Sequence, residues 1–497
     1  MIGSARYSRS SRHGPAIKTA LIAGVLASCA AAAAAEGFPA CDPRSSSQTV
    51  TFVHVTDLHA RYQPQGAAPS AYARIRARFE ELKRANPYSL LIDGGDDHEK
   101  GSVSEILSSG AATREMTRAM RFDVRVLGNH DFAFGTAAAL EHSRDPRTLV
   151  LASNLSYRGA GSLGFGATSY AEIQLGCLRV GFFGLVTQPW NERDEQYAGD
   201  YPGFASRYDY AGLAKRILNS RASKPDLTVL VSHLGREDDL ALAKAVSGID
   251  LILGGHTHGI TFEPILIGRT RVVESGAFAE YLTRVDAAVD LSSRSSVAWS
   301  HELSGVGESM PFDAATDREA RRIVKRYSGG HAAAAGCACK AAGKPLAAVV
   351  AARAAIQELG ADAAFIDIKT VSTPWNAGPV GAQEFHDAFT IEREPPATPG
   401  FNSFYLAEID GASLSTLRAM RDASRWAYEG PDKPEPSKTY RLALPKRAAL
   451  HPDEYLPKRV TLGPPRFASE VWEILERYAL SRKKAGLCVD NGCAAPR

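Results

Sequence analysis

The chain has 497 residues, 44% of them hydrophobic and 23% charged, which excludes a disordered or collagen-like chain and allows more than one folded core. Its formal charge of +3 is local: Arg6, Arg9, Arg12 and Lys18 precede any acidic residue, and setting them aside leaves 54 basic against 55 acidic residues. That balance excludes a generally basic surface, so no nucleic-acid polymer is expected as a partner.

The first 35 residues read as an export signal. A basic stretch ends at Lys18, an alanine-rich apolar run follows, and Glu36 breaks it. Small residues at Ala33 and Ala35 suit cleavage there, which places the protein in the periplasm or outside the cell. Two alternatives are a retained anchor helix and a lipid anchor at Cys29, within Leu26-Ala27-Ser28-Cys29. The run is short for a permanent span, and no transmembrane span is expected in the mature chain. Cleavage leaves Cys41, Cys177, Cys337, Cys339, Cys488 and Cys493, an even set that permits disulfides after export. Cys488 and Cys493 flank a short turn and could pair with each other; equally, Cys337 and Cys339 could capture the C-terminal tail. A Cys-x-Cys zinc site lacks a second pair nearby.

From residue 49 the pattern alternates strand and helix. Residues 49–55 are β-branched and apolar, as in a buried strand, and Tyr72, Ile75, Phe79 and Leu82 recur at helical spacing until Asn86-Pro87 stops them. Strands are then predicted at 89–93, 124–127, 149–152, 227–232 and 250–254, with a helical stretch at 241–246 before the last. Residues 271–276 and 281–291 read as a closing pair of strands. Alternation of this kind predicts an α/β architecture with its ligands just past the C-terminal ends of the strands. Residues 304–344, with a helical stretch at 313–327 and an Ala/Gly-rich end, read as a linker, and 345–497 as a second α/β domain.

Five short segments follow these strands: Thr56-Asp57-Leu58-His59, Gly95-Asp96-Asp97, Gly128-Asn129-His130-Asp131, Ser232-His233, and Gly255-His256-Thr257-His258. Singly, most are ordinary turn chemistry. Gly-His-x-His is stronger, because two imidazoles on one short loop make a metal clamp. Together they supply two Asp, one Asn and four His to one rim, with glycines at 95, 128 and 255 that let backbone approach closely. Water is a poor nucleophile at neutral pH. Two metals a few ångströms apart lower its pKa, hold the resulting hydroxide as nucleophile and clamp phosphate oxygens. Neutral imidazoles keep such a site from repelling an anionic substrate. His130 is left over beside the metals as a proton donor to the leaving group or a stabiliser of phosphoryl charge. The ligand types suit Zn, Mn, Fe or Co.

In order and spacing, the five segments resemble the metallophosphoesterase signature, in particular the bacterial 5′-nucleotidase / cyclic-nucleotide phosphodiesterase / UDP-sugar hydrolase family, over residues 49–291. The resemblance implies a four-layer αββα sandwich over about 48–303, followed by a smaller, divergent nucleotidase-type α/β domain. It implies that Asp57, His59, Asp96 and His258 hold one metal, that Asp96 bridges, and that Asn129, His233 and His256 complete the second. His130 would be the catalytic histidine, and the substrate a small phosphate ester, with nucleotides leading. The departures are specific. The loop after Asp96 is about one residue longer than the family's, and Ala133 stands where the family has an Asp that orients the catalytic His; Asp131 is the nearest substitute. In the second domain Ser372 stands where a phosphate-gripping Arg is expected, with Lys369 nearby as a partial replacement. Trp375, Phe389, Tyr405 and Tyr428 are the aromatic residues available to stack on a base, although core packing is the commoner fate of such residues. Two rival readings remain: the same metal chemistry on a non-nucleotide phosphoester, phosphodiester or thiosulfonate-type ester, and a non-catalytic binding protein with a vestigial metal site.

Overall fold

The first strand, Ser47–Val55, is buried over its last six residues, because the sheet that holds it is covered on both faces. It pairs in parallel with Ser89–Asp93 and antiparallel with Tyr281–Asp290. The full sheet has six strands, in the order Ser295–Gly305, Tyr281–Asp290, Ser47–Val55, Ser89–Asp93, Val124–Val126, Leu149–Leu151. A second six-stranded sheet runs Ile265–Ile267, Thr270–Glu274, Leu251–Gly254, Leu227–His233, Leu178–Val186, Ala171–Leu175. These strands belong to a computed structural model that describes residues 38–187, 203–389, 402–420, 425–490 and 492–494. The export segment expected at 1–35, with Cys29, lies outside the described residues.

The two sheets face each other. Val50, Phe52, Leu90 and Ile92 of the first meet Val180, Phe182, Val229 and Leu251 of the second in one core, where the rings of Phe52 and Phe182 meet edge to face at 6.3 Å. Alternate residues of the same strands point the other way. Val53, Val55 and Leu91 pack under the helices Ala71–Ala85, Ala111–Met120 and Ala314–Ser328, and Phe183, Leu230 and Ile252 under Tyr210–Ser220 and Arg236–Ala245. The result is the four-layer αββα sandwich.

Residues 304–344 form more than a linker. Helix Ala314–Ser328, capped by Asp313 accepting from Thr316 N at 2.7 Å, completes the first core with Ala320, Ile323 and Val324. Strand Ala334–Ala338 belongs to the core of the C-terminal half. That half is built on a five-stranded sheet, ordered Trp426–Glu429, Ala363–Asp367, Thr439–Pro445, Ser403–Asp410, Arg466–Glu470. Helices Lys344–Leu359 and Val471–Lys484 contribute to the core on one side of it and Gly411–Ala419 to that on the other.

All six cysteines beyond the export segment are paired. Cys41 joins Cys177, tying the approach to the first strand onto a turn of the second sheet. Of the two arrangements open at the C-terminus, the structure has capture of the tail: Cys337 joins Cys488 and Cys339 joins Cys493. No helix among the described residues is long and apolar enough to cross a membrane.

Candidate metal centre

Each of the five segments leaves the C-terminal end of a strand, and all reach one rim of the sandwich. The turns are tight. Asp57, His59, Asp96, His256 and His258 all have left-handed backbone, with φ of 52°, 47°, 60°, 78° and 56°. L-residues adopt that conformation at a cost, and it concentrates at functional sites. Glycine is required beside them. A methyl at Gly128 would overlap the Asp96 carboxylate, and one at Gly255 would overlap Thr56 Oγ1.

The side chains converge in two groups. Asp57, His59 and His258 bring one donor atom each within 4.8 Å of one another, and so do Asp96, His233 and His256. Asp96 also groups with His59 and His130 within the same limit, so its carboxylate lies between the two sets. His258 Nε2 is 3.3 Å from Asp57 Oδ1 and 3.0 Å from His59 Nε2. His233 Nε2 is 3.0 Å from Asp96 Oδ2, and His256 Nδ1 is 3.1 Å from Asn129 Oδ1. Asp96 Oδ2 and His233 Nε2 are both buried and have no hydrogen-bond partner beyond each other. A buried imidazole nitrogen and carboxylate oxygen whose only partner is each other are a pair of donor atoms that a cation can share.

The surroundings fix the ligand atoms. His59 Nδ1 meets the His98 carbonyl at 2.9 Å and His233 Nδ1 the Gly94 carbonyl at 2.7 Å, so each ring directs Nε2 inward. Asp57 Oδ2 accepts from Thr56 Oγ1 at 2.7 Å and from His256 N at 3.0 Å. Behind the centre is a buried polar network. Arg125 binds Asp93 at 2.9 Å and Asp97 at 2.7 Å, and His142 bridges Asp97 and Asp131 at 3.2 and 3.5 Å. Asp131 accepts from Gly128 N at 2.7 Å, Asp97 N at 2.9 Å and Asp96 N at 3.3 Å. Its carboxylate therefore ties the two ligand loops together and does not orient His130, contrary to the substitution expected for it.

Burial, followed by the charges of His130, Lys100 and His258, holds His59 well below the usual imidazole range. Burial, then His233, brings His256 down to about 4. Both rings are neutral at neutral pH, as ligands must be. His233 goes the other way: burial opposes its charge, but the Asp96 and Asp57 carboxylates raise it to about 10. Without metal, His233 is therefore protonated near neutral pH and must lose that proton to donate Nε2. Metal binding is expected to release about one proton per chain from this residue, with affinity rising as pH rises. Titration calorimetry in two buffers of different ionisation enthalpy measures it; a buffer-independent heat contradicts it.

Several residues at the site carried no signal of their own in the sequence. His130 Nδ1 is hydrogen-bonded to Glu99, and Lys100 Nζ lies 3.5 Å from His130 Nε2. The one-residue lengthening of the loop after Asp96 was the only trace of them. Phe278, at φ 59°, sets its ring 5.2 Å from His59 and 5.0 Å from His258. From the C-terminal half, Asp387 pairs with Arg61 at 2.8 Å, and Gln383 donates to Gly101 O at 2.6 Å. The proposed stacking residues lie elsewhere: Trp375, Phe389 and Tyr405 are 3%, 4% and 4% exposed core residues. Tyr428 is half-buried, with its hydroxyl donating to Pro431 O at 2.9 Å. Lys369 is exposed on a short turn, Ile368–Thr370.

An αββα sandwich with Asp, Asn and His donors converging past its strand ends defines a metallophosphoesterase. Residues 50–259 match the calcineurin-like phosphoesterase family, and the proteins the chain resembles include 5′-nucleotidases. It is 23% identical over 292 residues to the 5′-nucleotidase of Homo sapiens, covering 52% of this chain and 49% of that protein, so it spans about half the length of that relative. The fold is that of the 5′-nucleotidase precursor of Thermus thermophilus, with a TM-score of 0.62 at 18% identity over 87% of this chain and 96% of the other. It is about as near the sulfate thiohydrolase SoxB of the same organism, with a TM-score of 0.60 at 17% identity over 89% and 95%.

Proposed function

We propose that the protein is an exported hydrolase of small phosphate esters that uses two divalent metal ions, with nucleotides as the leading substrate class. The observation that carries this is the position of Asp96 between two converging ligand groups. Asp57, His59 and His258 would hold one ion, Asn129, His233 and His256 the other, and Asp96 both. Bound there, the ions would lower the pKa of water and neutralise phosphate oxygens. The chain supplies the rest. Asp57, His59, Asp96 and His233 are at most 1% exposed, whereas Asn129, His130, His256 and His258 are partly open, so an ester reaches the centre from their side. His130 Nε2 faces Asp96 Oδ2 at 3.8 Å, at the edge of the ligand groups, where it can hand a proton to a leaving oxygen. Lys100, beside it, places a cation where a phosphate would sit, as the second domain's missing Arg does not. The nucleotide preference is supported by the 5′-nucleotidases among its relatives. Export is supported by the three disulfides, which persist in oxidising compartments.

The test is hydrolysis by metal-loaded protein beside His130→Ala, read as phosphate release from nucleoside monophosphates and an aryl phosphate and as nucleoside monophosphate formed from cyclic nucleotides and UDP-sugars. Turnover of nucleotides that His130→Ala lowers by about 10²-fold or more supports the full proposal. Turnover of the aryl ester alone keeps the metal chemistry and removes the nucleotide assignment. No turnover with Zn, Mn, Fe or Co contradicts the enzyme reading.

A further inference from the structure

We propose that Glu99 is the positioning carboxylate of His130, a role the chain has moved from the segment after the histidine to the loop after Asp96. This rests on the reading of His130 as a proton donor. The histidine's own segment offers nothing for the task. Asp131 is committed to the backbone of Gly128, Asp96 and Asp97, and residue 133 is an alanine. Glu99 instead reaches His130 Nδ1 from the facing loop and is fully buried there.

The loop is built to hold it. Asp97 is anchored to Arg125 at 2.7 Å, and its amide to Asp131 at 2.9 Å. His98 binds Glu105 at 2.7 Å while its carbonyl meets His59 Nδ1 at 2.9 Å. At the far end Gly101 O accepts from Gln383 at 2.6 Å, and a side chain at Gly101 would overlap the backbone of His59 and Ala60. Between these anchors Glu99 and Lys100 take left-handed backbone in succession, φ 67° and 68°. Two strained non-glycine residues in a row persist only where their surroundings over-determine them, and here they set the Glu99 carboxylate against His130 Nδ1.

The chemistry follows from which nitrogen is held. With Nδ1–H donating to Glu99, the imidazole is fixed with Nε2 toward the ligand groups. As water forms the new P–O bond, the bond to the leaving group breaks and its electron pair goes to that oxygen. A proton held at Nε2 moves onto that oxygen, and the proton released by water takes its place. The leaving group departs as an alcohol and the product is inorganic phosphate. Glu99 itself touches no reacting atom.

The test compares Glu99→Gln with wild type on a series of phosphate esters whose leaving alcohols run from nitrophenol to an unactivated alkyl alcohol. A proton donor matters most where the leaving alkoxide is poor. Glu99→Gln is expected to lose about 10²-fold in kcat on the alkyl ester and under about threefold on the nitrophenyl ester, with bound metal unchanged. The double variant with His130→Ala is expected to be no slower than His130→Ala alone, as for residues acting as one unit. Equal losses on every ester, or additive losses in the double variant, overturn the proposal. A second readout needs no turnover. The His130 Nδ1 proton, assigned by its loss in His130→Ala, is expected as a strongly deshielded NMR resonance in wild type that Glu99→Gln shifts upfield. If wild type hydrolyses nothing but shows that resonance, the phosphoesterase reading fails and the pairing stands; a resonance indifferent to Glu99→Gln overturns the pairing.

Discussion

Asp96→Asn is expected to lower hydrolysis by about 10³-fold or more on every ester. The substitution keeps the side chain's size and the oxygen that accepts from His130 N at 2.6 Å. It replaces an anionic oxygen, 3.0 Å from His233 Nε2 and 3.8 Å from His130 Nε2, with a neutral group. No neighbouring carboxylate can take over, because Asp57 already belongs to the other ligand group and Asp97 faces Arg125. Loss of that negative charge also removes one of the two carboxylates that hold His233 up at about 10. Initial rates across the ester panel check the activity, and a thermal melt checks the fold. A loss confined to one ester class would mean that Asp96 selects substrate instead of holding the metals.

Arg125→Met is expected to cost about 3–5 kcal/mol of stability, a fall of roughly 10 °C in Tm. Arg125 is 1% exposed, and its guanidinium donates to both Asp93 and Asp97. Methionine fills the space but leaves the carboxylates of Asp93, Asp97 and Asp131 buried together. Asp93 shows the strain already: burial, then the charge of Asp97, holds its carboxyl well above the usual range, with Arg125 opposing them. A carboxyl whose folded pKa is raised binds its proton more tightly in the fold than in the unfolded chain, so its contribution to stability falls as pH rises. The deficit of Arg125→Met is therefore expected to be larger at pH 8 than at pH 5, and to shrink in the double variant with Asp93→Leu. Denaturant melts at both pH values check this; a deficit below about 1 kcal/mol would mean the network is dispensable.

The αββα frame was legible because its strands are apolar runs bounded by turn residues, as at 49–55 and 227–232. Strand Leu178–Val186 was not, although it is a long interior strand of the second sheet. Its apolar run is broken by Gly181 and Gly184 and shows neither alternation nor a helical period. A side chain at Gly184 would overlap Leu151 of the facing sheet, which is a reason of tertiary packing that no local pattern reveals. Helix Ala314–Ser328 was visible as a helix, but its weak surroundings hid that Ile323 and Val324 complete the first core. The seven candidate donor residues were legible as a set because metal chemistry restricts residue type and leaves short motifs, and six of them fall in the converging groups. Glu99 and Lys100 left no motif, since their role depends on two loops meeting in space and on backbone conformations that Glu and Lys seldom adopt. For the aromatic residues of the second domain core packing was the commoner expectation, and Trp375, Phe389 and Tyr405 lie in the core.

The most direct test of the central claim is the metal content of the folded protein. After loading with Mn or Zn and removal of free ions, elemental analysis is expected to find two ions per chain in wild type, with phosphate release rising as both sites fill. It should find fewer than two in Asp96→Asn. One ion or none in an active wild type, or two ions retained by Asp96→Asn, would contradict a dinuclear centre bridged by that carboxylate.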